Sequence, residues 1–250
     1  MRLQEGRDFV KLLIIFDLDN TLVHYHDLAQ YVDELLVNVL QTLYPKQQLP
    51  EKQVREKLWG AGDKYPELLR AWGISDIREF WAEFDNQDYE RRVQMANNGE
   101  IRISKDVLRT LKELSTHDHK LAILSNSNVP IAHYLCEFFE IDHYFEILAG
   151  LDADKTPEIC KPEPGNLIHI IEELGFGKNL NRVYMVGDSF SDVLAAKRAG
   201  VHPILYSPGQ RRENIFPEEI TEDDYRIIMR MTDLLSILPN FTTNIEEETQ

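Results

Sequence analysis

Cysteine is scarce in this chain of 250 residues, basic residues are few, and long apolar runs are missing. The two cysteines, Cys136 and Cys160, stand far apart and form no metal-spaced pair, so neither a disulfide framework nor a cysteine zinc site is expected. Lys and Arg number 27 against 43 Asp and Glu, a formal charge of −16. Nucleic acid is bound by clustered Lys and Arg, so that balance speaks against it as a partner. An anionic ligand would depend on local positive charge, from a metal or from a few placed cations. No stretch of 18 apolar residues occurs, and the N-terminus carries no basic-then-apolar leader. A soluble, cytoplasmic protein without membrane contact is expected. The Glu246-Glu247-Glu248 tail reads as solvated and disordered.

What the sequence does hold is enough apolar residue, 43%, for one large domain or for a core with an insertion. Its most informative junction lies near the start. The run from Lys11 to Phe16 leads directly into Asp17-Leu18-Asp19-Asn20-Thr21. An apolar run of this length without helical period predicts a strand buried on both faces of a parallel sheet. Ligands bind at the carboxyl edge of such sheets. Residues two apart in extended backbone point the same way, so Asp17 and Asp19 are expected to enter one crevice. One carboxylate could serve as nucleophile and the other as general acid and base. A turn after a strand also favours Asp and Asn, so the motif needs support from elsewhere.

Strands are predicted at 12–17, 120–125, 144–150, 182–188 and 202–207. Helical patterns separate them from the second onward: 104–114 with Ser104 as N-cap, 130–139, 164–174 stopped by Gly175, and 192–199 ending at Gly200. Alternation of this kind predicts an α/β, doubly wound parallel sheet. Between Asp19 and Ser104 the pattern is helical instead. An apolar stripe from Leu28 to Leu43 closes at Pro45, a second helix is expected near Pro50, and a third from about Ser75 to Asn97. A helical module inserted after the first strand should sit over that strand's end as a lid.

The later strand ends carry groups suited to phosphate. Ser125-Asn126-Ser127-Asn128 offers a hydroxyl and backbone amides ahead of a helix N-terminus, which favours anions; an N-cap cluster is the plainer reading. Lys161, between Cys160 and Pro162, could neutralise a phosphate and a carboxylate together. Asp188 and Asp192 follow Gly187, which permits close backbone approach. Several carboxylates in one crevice repel each other unless a cation compensates. Oxygen ligands completed by water and phosphate suit Mg²⁺. Asp17 and Asp188 are the expected side-chain ligands, with Asp19 through its carbonyl and Asp192 nearby.

In this order, Asp17 through Thr21, Ser125, Lys161 and Gly187-Asp188 through Asp192 resemble the four motifs of the haloacid dehalogenase-like hydrolases. The resemblance spans nearly the whole chain and looks nearest to the phosphoglycolate-phosphatase-like branch. It implies a Rossmann-like catalytic core of residues 1–23 and 100–250, with a helical cap at 24–99. It further implies a Mg²⁺-dependent phosphatase for a small phosphorylated metabolite, monomeric or homodimeric. Asp17 would become an aspartyl phosphate, Asp19 would protonate the leaving oxygen and then deprotonate water, and Ser125, Asn126 and Lys161 would hold the phosphoryl group. The second aspartate points away from dehalogenation, whose halide leaving group needs no proton. The acid role of Asp19 depends on its being protonated beside Asp17, a state that neighbouring carboxylates promote and Mg²⁺ opposes.

The alternatives are a phosphomutase of the same fold, a phosphonate-cleaving enzyme using Lys57 or Lys64, and a non-catalytic regulatory protein that kept the fold. Lys64 and Arg70 are the expected substrate cations of the cap. His24, Tyr25 and His26, where small polar residues are usual in this branch, read either as substrate contacts or as hinge packing with solvated imidazoles. Cys160 reads as inert packing or as a site of modulating oxidation.

Overall fold

The computed structural model describes residues 10–61, 64–151, 160–209 and 219–239; the acidic stretch at 246–248 lies outside them. Strand β1 (Leu13–Phe16) is buried along its whole length. Leu12, Ile14 and Phe16 join one apolar cluster while Leu13 and Ile15 join another, the parity that extended backbone imposes. A small two-stranded antiparallel ladder, β2 (Val23–His24) with β3 (Arg102–Ile103), lies apart from the main sheet. β1 itself pairs in parallel with β4 (Lys120–Asn128) and β6 (Val183–Gly187). With β5 (Ile147–Leu151), β7 (His202–Tyr206) and β8 (Arg226–Ile228), the parallel order is β5-β4-β1-β6-β7-β8. The chain fills one side of β1 first and then the other. The ends of β1, β4 and β6 therefore flank a switch point, where open α/β sheets bind ligands.

Within the β2–β3 bracket lie α1 (Leu28–Leu43), α2 (Lys52–Glu56), α3 (Tyr65–Ala71) and α4 (Ile77–Asn97). After β3 come α5 (Lys105–Ser115), α6 (Val129–Phe138), α7 (Gly165–Glu173), α8 (Phe190–Ala199) and α9 (Asp233–Ile237). Residues of α5, α6 and α9 pack on one face of the sheet, and residues of α7 and α8 on the other. Ser104 caps α5 as expected, accepting from the Val107 amide. Helix α6 starts one residue before Pro130, because the Asn128 side chain caps it. Gly200 ends α8 in the left-handed conformation at φ 73°, where a β-carbon is penalised.

The inserted helices own a separate apolar cluster, with Tyr31, Leu35, Leu36, Val39 and Leu40 of α1 against Leu69, Phe80 and Phe84. Among the described residues they add no strand to the six-stranded sheet. The expected second helix is only the five residues of α2, and α3 falls in a stretch where none was expected. Helix α4 is capped by Asp76, whose side chain accepts from the Glu79 amide. It buries Phe80, Phe84, Asp88, Arg92 and Ala96, a line of residues four apart on one face. Two of those five carry charge, which is costly inside a protein unless paired. α4 rests on α6 through the Tyr89 and Tyr134 rings, 5.9 Å apart, and an Asn128 amide that donates to the Asp85 carbonyl. Among the described residues no helix is long and apolar enough to cross a membrane.

Candidate active site

The chain leaves β1 through a tight turn. The amides of Thr21, Leu22 and Val23 all donate to the Leu18 carbonyl, and Asn20 sits at φ 58°, a conformation that Asn tolerates better than most residues. The Asp17 amide still donates to the Val186 carbonyl at 2.8 Å, so the first aspartate is held in sheet register. The second lies in the turn. Their side chains accordingly meet different neighbours.

Asp17 is buried. Its Oδ1 accepts from Lys161 Nζ at 2.6 Å and its Oδ2 from the Thr21 hydroxyl at 3.1 Å. The same ammonium donates to Asp192 Oδ1 at 2.7 Å. Asp192 Oδ2 accepts from the Ser189 amide at 3.1 Å and hydroxyl at 2.6 Å, closing a capping box at the start of α8. Burial alone would lower the Lys161 pKa, but Asp17 and Asp192 raise it further than burial depresses it, so the lysine is a fixed positive charge.

Asn126, expected among the substrate-binding groups, is engaged otherwise. Its amide nitrogen donates to the Lys161 carbonyl and its oxygen accepts from the Lys161 amide, both at 2.9 Å. That two-point clamp fixes the backbone from which the ammonium extends. Ser125 is buried in β4 just past Leu124, where the pairing with β5 is interrupted, and its hydroxyl oxygen accepts from the Ser127 amide at 3.0 Å.

One carboxylate oxygen each from Asp17, Asp188 and Asp192 lies within 4.8 Å of the others. Burial is the main cause raising Asp17 and Asp188 above the ordinary carboxylate range. Neighbouring carboxylates push the same way, with Lys161 opposing. An all-oxygen set whose negative charges are crowded and dehydrated suits a hard divalent cation. Asp192 belongs to this set and, like Asp17, also accepts from Lys161.

Asp19 has the opposite environment. Its Oδ1 accepts from the Tyr25 hydroxyl at 2.7 Å, its Oδ2 from the Ser127 hydroxyl at 2.5 Å, and Arg92 Nη1 stands 2.8 Å from both oxygens. Burial favours the neutral acid, but the Arg92 charge and these hydrogen bonds overcome it and lower the pKa. The pull of neighbouring carboxylates toward the protonated form is thus outweighed in this arrangement by a guanidinium that the insertion supplies, which favours the ionised carboxylate. Arg92 Nε donates to Asp88 Oδ1 at 2.8 Å, and the Tyr31 hydroxyl donates to that same oxygen at 2.5 Å. The guanidinium carbon also lies 5.2 Å from the Tyr25 ring centroid and 5.5 Å from that of Tyr31. The charged pair on the buried line of α4 is therefore satisfied, partly by the turn after β1.

Lys64 and Arg70, the expected cations of the insertion, are exposed, as is Lys57, and none of them bonds to this cluster. The insertion instead contributes Arg92. Tyr25 reaches the site, while the half-buried His24 ring faces Tyr206 at 6.0 Å and His26 is exposed. Burial pushes the Cys160 thiol up to about 11, which leaves it un-ionised and favours the inert reading. Ser127 and Arg92 were missed as site residues. For Arg92 a signal existed: Asp88 and Arg92 continue the four-residue spacing of Phe80 and Phe84, as a buried ion pair would.

A family model described as haloacid dehalogenase-like hydrolase matches residues 12–200. A phosphoglycolate phosphatase from Pseudomonas fluorescens (strain Pf-5) is 31% identical over 217 residues, covering 83% of this chain and 73% of that protein. The pyrophosphatase PpaX of Halalkalibacterium halodurans is 25% identical over 225 residues, covering 90% and 95%. A crystal structure of a predicted phosphoglycolate phosphatase from Haemophilus somnus superposes with a TM-score of 0.64 at 24% identity, covering 91% and 97%. The strand-end carboxylates, the buried lysine and the matched span agree, and the chain belongs to the haloacid dehalogenase-like hydrolases, on their phosphoglycolate-phosphatase-like branch.

Proposed function

We propose that this protein is a Mg²⁺-dependent phosphatase that hydrolyses a small phosphomonoester of the 2-phosphoglycolate type through a phosphorylated Asp17. The observation that carries the reading is the division between the two aspartates: Asp17 lies against Lys161 and the carboxylate cluster, while Asp19 is held apart by Ser127, Tyr25 and Arg92. Two carboxylates in contrasting environments are the usual basis for two chemical roles. Asp17, Asp188 and the Asp19 carbonyl would hold the metal, with Asp192 beside them. When bound, Mg²⁺ would neutralise the carboxylates and the phosphoryl oxygens.

Asp17 Oδ attacks phosphorus as the bond to the leaving oxygen breaks, and Asp19 supplies the proton that the leaving oxygen takes. Water then attacks the aspartyl phosphate, giving its proton back to Asp19, and inorganic phosphate departs as Asp17 is restored. Asp19 enters the first step protonated, carrying the proton taken from water in the preceding turnover, and the ionised form found beside Arg92 is the one that acts as base in the second. Lys161 offsets charge on the equatorial oxygens, and Ser125 of β4 binds one of them. Asn126 contributes indirectly, by fixing Lys161. The helical insertion, residues 24–99, acts as a lid that excludes water and orients substrate, with β2 and β3 as its stalk.

The test is release of inorganic phosphate from 2-phosphoglycolate, pyrophosphate, a sugar phosphate and p-nitrophenyl phosphate, each with Mg²⁺. Turnover is expected for the aryl ester and highest kcat/KM for 2-phosphoglycolate. No turnover of any substrate, or full turnover after exhaustive chelation, would overturn the reading.

A further inference from the structure

Arg92 is built into its place more thoroughly than a surface ion pair requires. Its neighbour Arg91 shows the contrast: Arg91 pairs with Glu34 on the exterior, both side chains more than a third exposed, an arrangement that stabilises little. The Arg92 side chain is 5% exposed. It lies between two carboxylates, next to one tyrosine hydroxyl, and near the faces of two tyrosine rings. Dehydrating a guanidinium is expensive unless its geometry is well supplied with partners, and here Asp88 and Tyr31 of the insertion supply one side and Asp19 the other. A guanidinium is planar and rigid. With Nε fixed on Asp88, Nη1 is fixed relative to α4, so the position of α4 is transmitted to the Asp19 carboxylate.

Asp19 has few other constraints. It sits in a turn rather than in the sheet, and its remaining side-chain donors are Ser127 at the end of β4 and Tyr25 beside the stalk. We propose that Arg92 is a positioning residue for the leaving-group chemistry: α4 carries it onto the core, where with Tyr25 it orients the Asp19 carboxylate toward the leaving oxygen. The proposal rests on Asp19 as the acid and base. It places the second aspartate only while α4 is seated against α6, which ties the geometry of proton transfer to the position of the insertion. Arg92 bonds to Asp19, Asp88 and Tyr25, and its effect passes through Asp19.

The experiment compares Arg92→Gln, Arg92→Lys and Tyr25→Phe with the unaltered protein in Mg²⁺, on 2-phosphoglycolate and p-nitrophenyl phosphate. The first ester has a basic leaving group that needs a well-placed proton; the second does not. For Arg92→Gln, kcat on 2-phosphoglycolate is expected to fall about 10²-fold with KM little changed, and kcat on the aryl ester to fall much less. Arg92→Lys should recover part of the loss, since an ammonium reaches Asp19 but cannot also span to Asp88. Tyr25→Phe changes no charge and should show the same pattern at about tenfold; it carries the comparison if Arg92→Gln does not fold. Equal losses on both esters would reduce Arg92 to a structural ion pair. A rise in KM for 2-phosphoglycolate at constant kcat would make it a substrate-binding group. Either result overturns the proposal. An unaltered protein inactive on both esters would overturn the phosphatase reading itself, and this one with it.

Discussion

Gly187 faces the Asp192 carboxylate so closely that a β-carbon at residue 187 would overlap it. The glycine ends β6 and the aspartate lies in the first turn of α8, so this contact sets how near the helix comes to the strand. Asp192 in turn holds Lys161, which holds Asp17. Gly187→Ala is therefore expected to act on the chemistry through two intermediaries. Overpacking of this kind costs about 1–3 kcal/mol, and displacing a reacting group by about 1 Å can cost about 10²-fold in rate. The expected outcome is a folded protein with a modestly lower Tm and a kcat on p-nitrophenyl phosphate reduced by about that factor. Unchanged kcat would mean that Asp192 is not needed where it stands.

Asp188→Asn should separate stability from activity. Burial and the charges of Asp17 and Asp192 raise the Asp188 pKa, so ionising it in the metal-free protein opposes folding. The sign follows: a group whose folded pKa is raised contributes stability at low pH that is lost as pH rises from the unfolded value through the folded one. At pH 7.5 without metal, the neutral amide should therefore raise Tm, by roughly 2–4 °C for each kcal/mol of repulsion relieved. In the same variant, the Tm increase that Mg²⁺ gives the unaltered protein should shrink, because binding to the folded state is the source of that increase. Thermal scans with EDTA and with Mg²⁺ decide it. A lower metal-free Tm together with an undiminished Mg²⁺ response would remove Asp188 from the metal site.

Much of the core was legible because its signals are local and redundant. The run to Phe16 has no helical period, the residues after it are two aspartates, and β4 and β6 end in polar clusters. The parallel sense of the sheet follows from alternating helix and strand. What escaped were elements too short to bear a period. Strands β2 and β3 have two residues each, and β8 has three, two of them exposed at the sheet edge. The site residues that were missed come from the insertion and the loops. Arg92 looked like any helix arginine beside Arg91, and only its register with Phe80 and Phe84 distinguishes it. Lys64 and Arg70 drew notice as cations in the insertion, yet charge without register does not say which face a side chain takes. The clamp between the Asn126 side chain and the Lys161 backbone leaves no trace in sequence spacing, because it joins distant parts of the chain.

Away from the site, His119 gives a pH-dependent term. It is buried, and its Nδ1 accepts from the Leu12 amide at 3.3 Å, which requires the neutral ring. Burial first, then His117, with Lys11 adding and Asp118 opposing, push its pKa down to about 4 from 6.5. The unfolded chain therefore binds this proton more readily than the folded one. The associated stability is fully present above about pH 6.5 and is lost as pH falls toward about 4. Between pH 7.5 and 5 the Tm of the unaltered protein should drop by more than that of His119→Gln, whose amide oxygen can accept the same hydrogen bond. Calorimetry at both pH values checks this, and the comparison cancels the opposing contribution of Asp17 and Asp188 because both proteins carry it. Parallel pH dependence would dismiss the His119 term.

The two aspartates of the opening motif should fail in different ways. Asp17→Asn is expected to abolish turnover of every ester, since an amide is a poor nucleophile and cannot complete the carboxylate cluster with Asp188. Asp19→Asn keeps an acceptor for Tyr25 or Ser127, but it turns an amide nitrogen toward the donors of Arg92 and removes the proton-transferring group. An alkyl phosphate has a basic leaving group and needs a proton as the bond breaks, whereas p-nitrophenyl phosphate leaves as a stabilised anion. Acid–base catalysis is typically worth about 10²–10⁴-fold. The variant should therefore lose 2-phosphoglycolate hydrolysis by that order while its first half-reaction on the aryl ester falls far less. The second half-reaction needs a base for water whichever ester was used, so phosphoenzyme should accumulate. Rapid-quench burst kinetics with both esters, and intact-mass detection of a phosphorylated protein, measure these effects separately. Equal losses on the two esters, no burst and no added phosphate mass would take Asp19 out of the acid–base role and leave its contacts with Ser127, Tyr25 and Arg92 as structure alone.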